Sequence, residues 1–169
     1  MADYTILANG TRDFQLLQAD KTLGALHYTE WFSFKAVIAL ANGSTFQIAP
    51  RGFWGTTIEV KDQEAVLLNF KMNWGGTILI KLKATSKAYV FNLKSLLKNT
   101  YVLQDKDERE LLLVQPSFKW NTLNCNYTLT STDEFESLDY KELLLLTTVH
   151  CANYSMAMAA GATTIAVAT

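Results

Sequence analysis

From Leu143 to Thr169 the chain reads LLLLTTVHCANYSMAMAAGATTIAVAT, without an Asp, Glu, Lys or Arg. A helix that is apolar on every side has to be enclosed, either by protein or by lipid. The run is longer than the roughly 20 apolar residues that a bilayer span needs, so both enclosures must be weighed. Thr147, Thr148, His150, Asn153, Tyr154, Ser155, Thr163 and Thr164 dilute it. His and Asn near a bilayer centre are costly unless partnered. No Lys or Arg follows the run and no aromatic belt frames it, which are the usual marks of a span. Ala152, Ser155, Ala157, Ala159, Ala160, Gly161 and Ala162 instead make a slim cylinder. The run is therefore expected to be a core helix and not a transmembrane span. Asp139 is its expected N-cap, with Glu142 completing a variant capping box. Asp133-Glu-Phe-Glu136 supplies acids toward the positive end of the helix dipole. The plug is expected to reach Ala160, with Gly161 to Thr169 a looser tail or last turn.

What precedes the run is a series of short strands over about residues 4–130. Phe14 to Gln18 turns through Ala19-Asp-Lys-Thr22 into Leu23 to Trp31, and Lys35 to Ala41 meets Asn42-Gly43 before Thr45 to Ala49. Asn-Gly between apolar runs is a strong hairpin signal, because both residues accept φ > 0. Thr56 to Lys61, Ala65 to Phe70, Thr77 to Leu82 and Lys87 to Leu93 continue the series. Tyr101 to Gln104, Glu110 to Val114, Phe118 to Trp120 and Asn124 to Thr130 complete it. Alternation in Thr77-Ile-Leu-Ile-Lys-Leu-Lys83 marks one buried and one wet face. Eleven or twelve strands and one slim helix suit a closed antiparallel barrel wound around that helix. Trp31, Trp74 and Trp120 fall in corresponding links of three hairpins, which suggests a weak repeat packed about a common centre.

A chain of 169 residues fits one domain, residues 1–169. The net charge of −1 gives no general attraction to nucleic acid. Cys125 and Cys151, the two cysteines, read as small buried hydrophobes in a reducing compartment, not as a disulfide scaffold. The start MADYTILANGTRDF lacks a basic segment followed by an apolar one, so a cytoplasmic location is expected.

These features together resemble the tubby-like superfamily, which includes the tubby C-terminal domain, LURP-one-related proteins and phospholipid scramblases. Phe14-Gln-Leu-Leu with Leu23-Gly-Ala-Leu26 looks like the opening hairpin of that fold. Tyr101-Val-Leu-Gln-Asp105 with Leu111-Leu-Leu-Val114 looks like its late echo, and Leu138 to Ala160 like its central helix. The resemblance implies a closed barrel of about 12 strands around a hydrophobic C-terminal helix. It also implies a binding module for anionic phospholipid. It rests on pattern and not on an invariant motif. The acids Asp133, Glu134, Glu136 and Asp139 lack EF-hand spacing and its glycine, so calcium-linked scrambling is not carried over.

Charge is unevenly spread along the chain. Residues 1–64 hold five bases and seven acids, and residues 105–169 hold four bases and nine acids. Between them Lys71, Lys81, Lys83, Lys87, Lys94 and Lys98 stand with no acid. Lys81, Lys83, Lys87 and Lys94 are the candidate lipid-binding residues, each Lys near an anionic surface contributing about 1 kcal/mol. The ordinary explanation is that lysines solvate strand faces and guard edges. A metal site from His150-Cys151 with Cys125 and His27 is disfavoured, since adjacent helix positions do not share a face. Phosphate-binding and nucleophile-elbow glycine motifs are absent from the sequence. Gly52-Phe-Trp-Gly55 and Trp74-Gly-Gly76 read as turns with aromatic plugs. Function is thus expected to be non-enzymatic binding or scaffolding by a monomer without cofactor, with anionic phospholipid or a protein as partner. A small-molecule or enzymatic barrel with a pocket at its mouth is the alternative, and a tail-anchored membrane protein a further one.

Overall fold

The structure, a computed structural model, describes residues 1–30, 32–52, 57–119 and 124–167. Its strands are β1 (Ala2–Asn9), β2 (Asp13–Gln18), β3 (Lys21–Glu30), β4 (Lys35–Leu40), β5 (Thr45–Arg51), β6 (Thr57–Asp62), β7 (Ala65–Met72), β8 (Ile78–Leu82), β9 (Ala88–Ser95), β10 (Thr100–Gln104), β11 (Glu110–Lys119) and β12 (Asn124–Ser131). Each pairs antiparallel with its neighbours in sequence, and β1 pairs with β12 to close the barrel. Closure leaves no unpaired edge along the sheet. A short helix, α1 (Asp133–Glu136), leads into α2 (Lys141–Val167).

In most strands period-two burial puts one row of side chains inward, while β6 and β10 carry consecutive buried residues. In β8, Ile78, Ile80 and Leu82 are buried while Leu79 and Lys81 face outward. The space inside is filled by α2. Leu143 to Asn153 are buried without a break, Tyr154 to Ala157 are half-buried, and Met158 to Ala160 are exposed. The expected barrel with a core helix is therefore what forms. By length and composition Lys141–Ala160 is also apolar enough to cross a membrane, but its first half is the core of this barrel.

Up-and-down winding divides the connections between two ends. The β2–β3, β4–β5, β6–β7, β8–β9 and β10–β11 turns lie with α1 at the end where α2 enters. The β1–β2, β3–β4, β7–β8 and β9–β10 turns lie at the end where it leaves. The direction of α2 is fixed by its contacts. Tyr140 meets Tyr89 hydroxyl to hydroxyl at 2.8 Å near the entry end. Tyr154 packs edge-on to Phe34 of the β3–β4 turn, with ring centres 4.9 Å apart, at the exit end. A helix of 27 residues is about 40 Å long. That exceeds the height of tilted strands of five to ten residues, so α2 must project from the exit end.

Several expectations are corrected. The helix starts at Lys141, and its first-turn bond runs from the Leu144 N–H to the Tyr140 carbonyl (3.0 Å). The cap position is thus Tyr140 and not Asp139, because the preceding turn is held in place by the half-buried Leu138 and Tyr140. Beyond Ala160 the backbone stays helical to Val167, so a looser tail begins no earlier than there. Burial ends sooner than expected, by Ala157, because the barrel wall is shorter than the helix. At the β4–β5 turn only Gly43 takes positive φ (+91°). Asn42 acts instead through its side-chain oxygen, which accepts from the Ser44 N–H at 2.9 Å. Trp74 is not a plug, nor does it pack about a common centre, since it stands fully in solvent. Trp31, Trp120 and the Phe53-Trp54 turn lie outside the described residues.

Candidate functional site

The six lysines of the acid-free stretch run up one side of the barrel. Lys71 on β7 and Lys81 on β8 point outward, Lys83 and Lys87 occupy the β8–β9 turn at the entry end, and Lys98 sits in the β9–β10 turn at the exit end. Lys94 on β9 also faces out, and its ammonium donates to Glu110 at 2.7 Å. Among the described residues no carboxylate lies within ion-pair distance of Lys71, Lys81, Lys83, Lys87 or Lys98. The four candidates from the sequence are thus all exposed, but they do not form one cluster. Lys81, Lys83 and Lys87 belong to the entry half and Lys94 to the exit half.

Lys87 borders a cleft of about 460 Å³ at the entry end, together with Tyr89, Asp105, Arg109, Glu134 and Leu138. Arg109 reaches Asp105 at 2.6 Å and Glu134 at 3.2 Å, tying the β10–β11 turn to α1. Burial pushes the Asp105 carboxyl upward. Backbone and side-chain bonds from Arg109, and one from the Asp107 N–H, outweigh that and hold it below the usual range. An ionised carboxylate clamped by a guanidinium stabilises a turn and has no free proton to transfer.

The core holds a separate polar group. Asn153 donates to the Tyr28 hydroxyl at 3.1 Å and accepts from the Tyr127 hydroxyl at 2.5 Å. Thr147 and Thr148 donate back to the carbonyls of Leu143 and Leu145. This explains how polar residues sit in the barrel centre without cost. His150 differs. Among the described residues neither ring nitrogen has a hydrogen-bond partner, and the ring stacks on Tyr28 and meets Phe34 and Phe70 edge-on. Burial pushes its pKa down to about 3, so the ring is neutral.

The imagined metal ligands are dispersed. His27 pairs with Asp13 on the surface, Cys125 is half-buried, and Cys151 is buried. Among the described residues no group of three His, Cys, Asp or Glu is placed to hold a metal.

The feature missed in the sequence is axial polarity. Each charged residue can be assigned to the nearer end of its strand or to its turn. The exit half then holds seven bases and three acids, the entry half eight bases and thirteen acids. The Lys94–Glu110 pair straddles the division. Setting it aside leaves six bases against three acids at the exit and eight against twelve at the entry. Apolar exposure follows the same axis. Of the large hydrophobic side chains exposed among the described residues, all but Met1 lie in the exit half. Trp74 (108% exposed), Leu96 (84%), Leu97 (101%) and Phe32 (98%) occupy turn tips there. Leu79 and Leu93 continue the apolar surface down β8 and β9, and Met158 marks the emerging helix. A polar groove of about 420 Å³, lined by Lys94, Ser95, Lys98, Thr100 and Thr128, opens beside Leu96 and Leu97. A signal was available in the sequence: Trp31-Phe32, Phe53-Trp54, Trp74, Leu96-Leu97 and Trp120 recur at every second link from the β3–β4 link onward.

The chain matches no protein-family model, no curated protein and no solved structure.

Proposed function

We propose that this barrel is a non-catalytic binding module of the tubby-like type that associates peripherally with anionic phospholipid surfaces. The observation that carries the reading is the acid-free lysine stripe along β7, β8, β9 and their turns, five of whose six ammonium groups have no carboxylate at ion-pair distance among the described residues. Exposed lysines near an anionic leaflet each contribute about 1 kcal/mol, so those of the stripe that face it supply attraction for reversible attachment. The filled core supports binding at an outer surface over capture of a ligand inside the barrel. The test is co-sedimentation with vesicles of phosphatidylcholine alone and of phosphatidylcholine with phosphatidylserine, at low and physiological salt. Attachment to the anionic vesicles only, weakened by salt and by changing Lys71, Lys81, Lys83, Lys87 and Lys98 to Glu together, is the expected result. Equal recovery with both vesicle types, or none with either at low salt, would overturn it.

A further inference from the structure

Resting on that reading, we infer that the barrel docks end-on, with the turn tips Trp74 and Leu96-Leu97 entering the interfacial layer of an anionic bilayer and Lys71 and Lys98 meeting its headgroups.

Four observations converge on this end. First, Trp74, Leu96 and Leu97 have their side chains essentially fully in water. Large apolar groups held there without a partner mark an interaction surface. Second, they are carried on separate turn tips, β7–β8 and β9–β10, and not on a flat sheet face. Separate tips enter a soft, deformable medium one by one, whereas a protein partner of ordinary size needs a contiguous complementary patch. Third, the charges flanking these tips, Lys71 and Lys98, have no carboxylate at ion-pair distance, and the exit half as a whole is cationic. Apolar insertion beside a basic patch is the two-signal arrangement that stable peripheral attachment requires. Trp is also the side chain most enriched at the membrane–water boundary. Fourth, α2 projects from this same end without a charged residue after Glu142. A second copy of the chain is a poorer occupant, because two cationic ends facing each other repel.

Distance decides which lysines matter. Lys83 lies seven residues beyond Gly76 along β8, about 20 Å of strand. The tilt usual in barrels reduces this to about 15 Å along the axis. That is roughly two Debye lengths at physiological salt. In end-on docking Lys83 and Lys87 are therefore largely screened from the leaflet, while Lys71 and Lys98 are not. A barrel lying on its side would use all of them.

The experiment uses the full chain in a Cys125→Ser background, where the remaining Cys151 is buried. An environment-sensitive fluorophore is placed on Leu97→Cys at the exit end, or on Thr85→Cys at the entry end. Each protein is mixed with phosphatidylcholine–phosphatidylserine vesicles, with and without brominated acyl chains, and pelleted in parallel. The expected result is a blue-shifted, bromine-quenched signal from position 97 and an unchanged signal from position 85. Trp74→Ala with Leu96→Ser and Leu97→Ser is expected to lower vesicle partitioning by roughly tenfold or more. Lys71→Glu with Lys98→Glu should act similarly, and Lys83→Glu with Lys87→Glu should change it by less than about threefold. Pelleting with vesicles while the label at 97 stays in water, or with the label at 85 responding instead, overturns end-on docking and leaves the membrane reading standing. A blue shift at 97 that grows with protein concentration without vesicles overturns it in favour of self-association. No pelleting with anionic vesicles at low salt overturns both.

Discussion

At the scale of single residues, Gly24 shows how tightly the helix is enclosed. A Cβ built there would lie 2.9 Å from the Ala39 carbonyl oxygen and 3.2 Å from a methyl of Leu146 on α2. The backbone of β3 is in an ordinary extended conformation, so the constraint is space and not φ. Gly24→Ala is expected to destabilise the fold by about 1–3 kcal/mol through overpacking, seen as a lower midpoint in urea unfolding. His150 leads to a second prediction. In the unfolded chain it titrates near its ordinary value of 6.5, and in the folded barrel only at about 3. Between those values the unfolded state binds a proton that the folded state does not. Stability therefore falls as pH drops below 6.5, at up to roughly 1.4 kcal/mol per pH unit. His150→Leu, close in volume, should hold or raise stability at pH 7 because it removes a buried unpartnered N–H. It should also flatten the unfolding profile between pH 6.5 and 4.5. An unchanged slope in chemical denaturation across that range would contradict this account of the site.

At the scale of elements, α1 works as a clasp. Thr132 caps it by accepting from the Phe135 N–H, and Phe135 plugs the entry end with no exposed surface. Glu136 receives the Tyr4 hydroxyl at 2.8 Å, the Ser131 hydroxyl, and the Lys141 ammonium at 2.8 Å. One carboxylate thus joins β1, β12, α1 and α2. Partial burial pushes its pKa up, but these bonds outweigh that and keep it below the usual carboxylate value. The resulting stability is present above the ordinary value of 4.5 and is lost as pH falls through the lower folded value. Glu136→Gln is expected to cost about 1–2 kcal/mol at pH 7, with the loss shrinking toward pH 3 in thermal unfolding. This clasp was not legible in the sequence. Asp133-Glu-Phe-Glu136 showed its acids as helpers of a dipole, and the partner of Glu136 is a tyrosine 132 positions away. The strands and the helix were legible, because period-two alternation and an uncharged apolar run state their own burial. Cap positions were not, since Asp139 competes with a turn whose anchors, Leu138 and Tyr140, are set by tertiary packing.

At the scale of the whole molecule, the arrangement is a barrel with unlike ends. Sequence order conceals this. Lys71, Lys81, Lys83, Lys87, Lys94 and Lys98 form one block along the chain, yet antiparallel winding sends Lys71 and Lys98 to one end and Lys83 and Lys87 to the other. The apolar tips are hidden for the same reason. Trp74 and Leu96-Leu97 are separated by two strands in sequence and brought to the same rim by the β8–β9 hairpin between them. A turn aromatic is read by default as a plug, and only the geometry shows Trp74 standing clear of the core. The polarity also suits the helix, whose buried half lies between the entry clasp and the exit rim.

Hydrogen exchange followed along the chain, with and without anionic vesicles, tests the account most directly. Amides of residues 143–153 are expected to exchange only with global unfolding in either condition, and vesicles to add protection at the 73–77 and 96–99 turns while leaving 83–87 unchanged. Prompt exchange through 143–153 in buffer, or vesicle protection centred on 83–87, would contradict it.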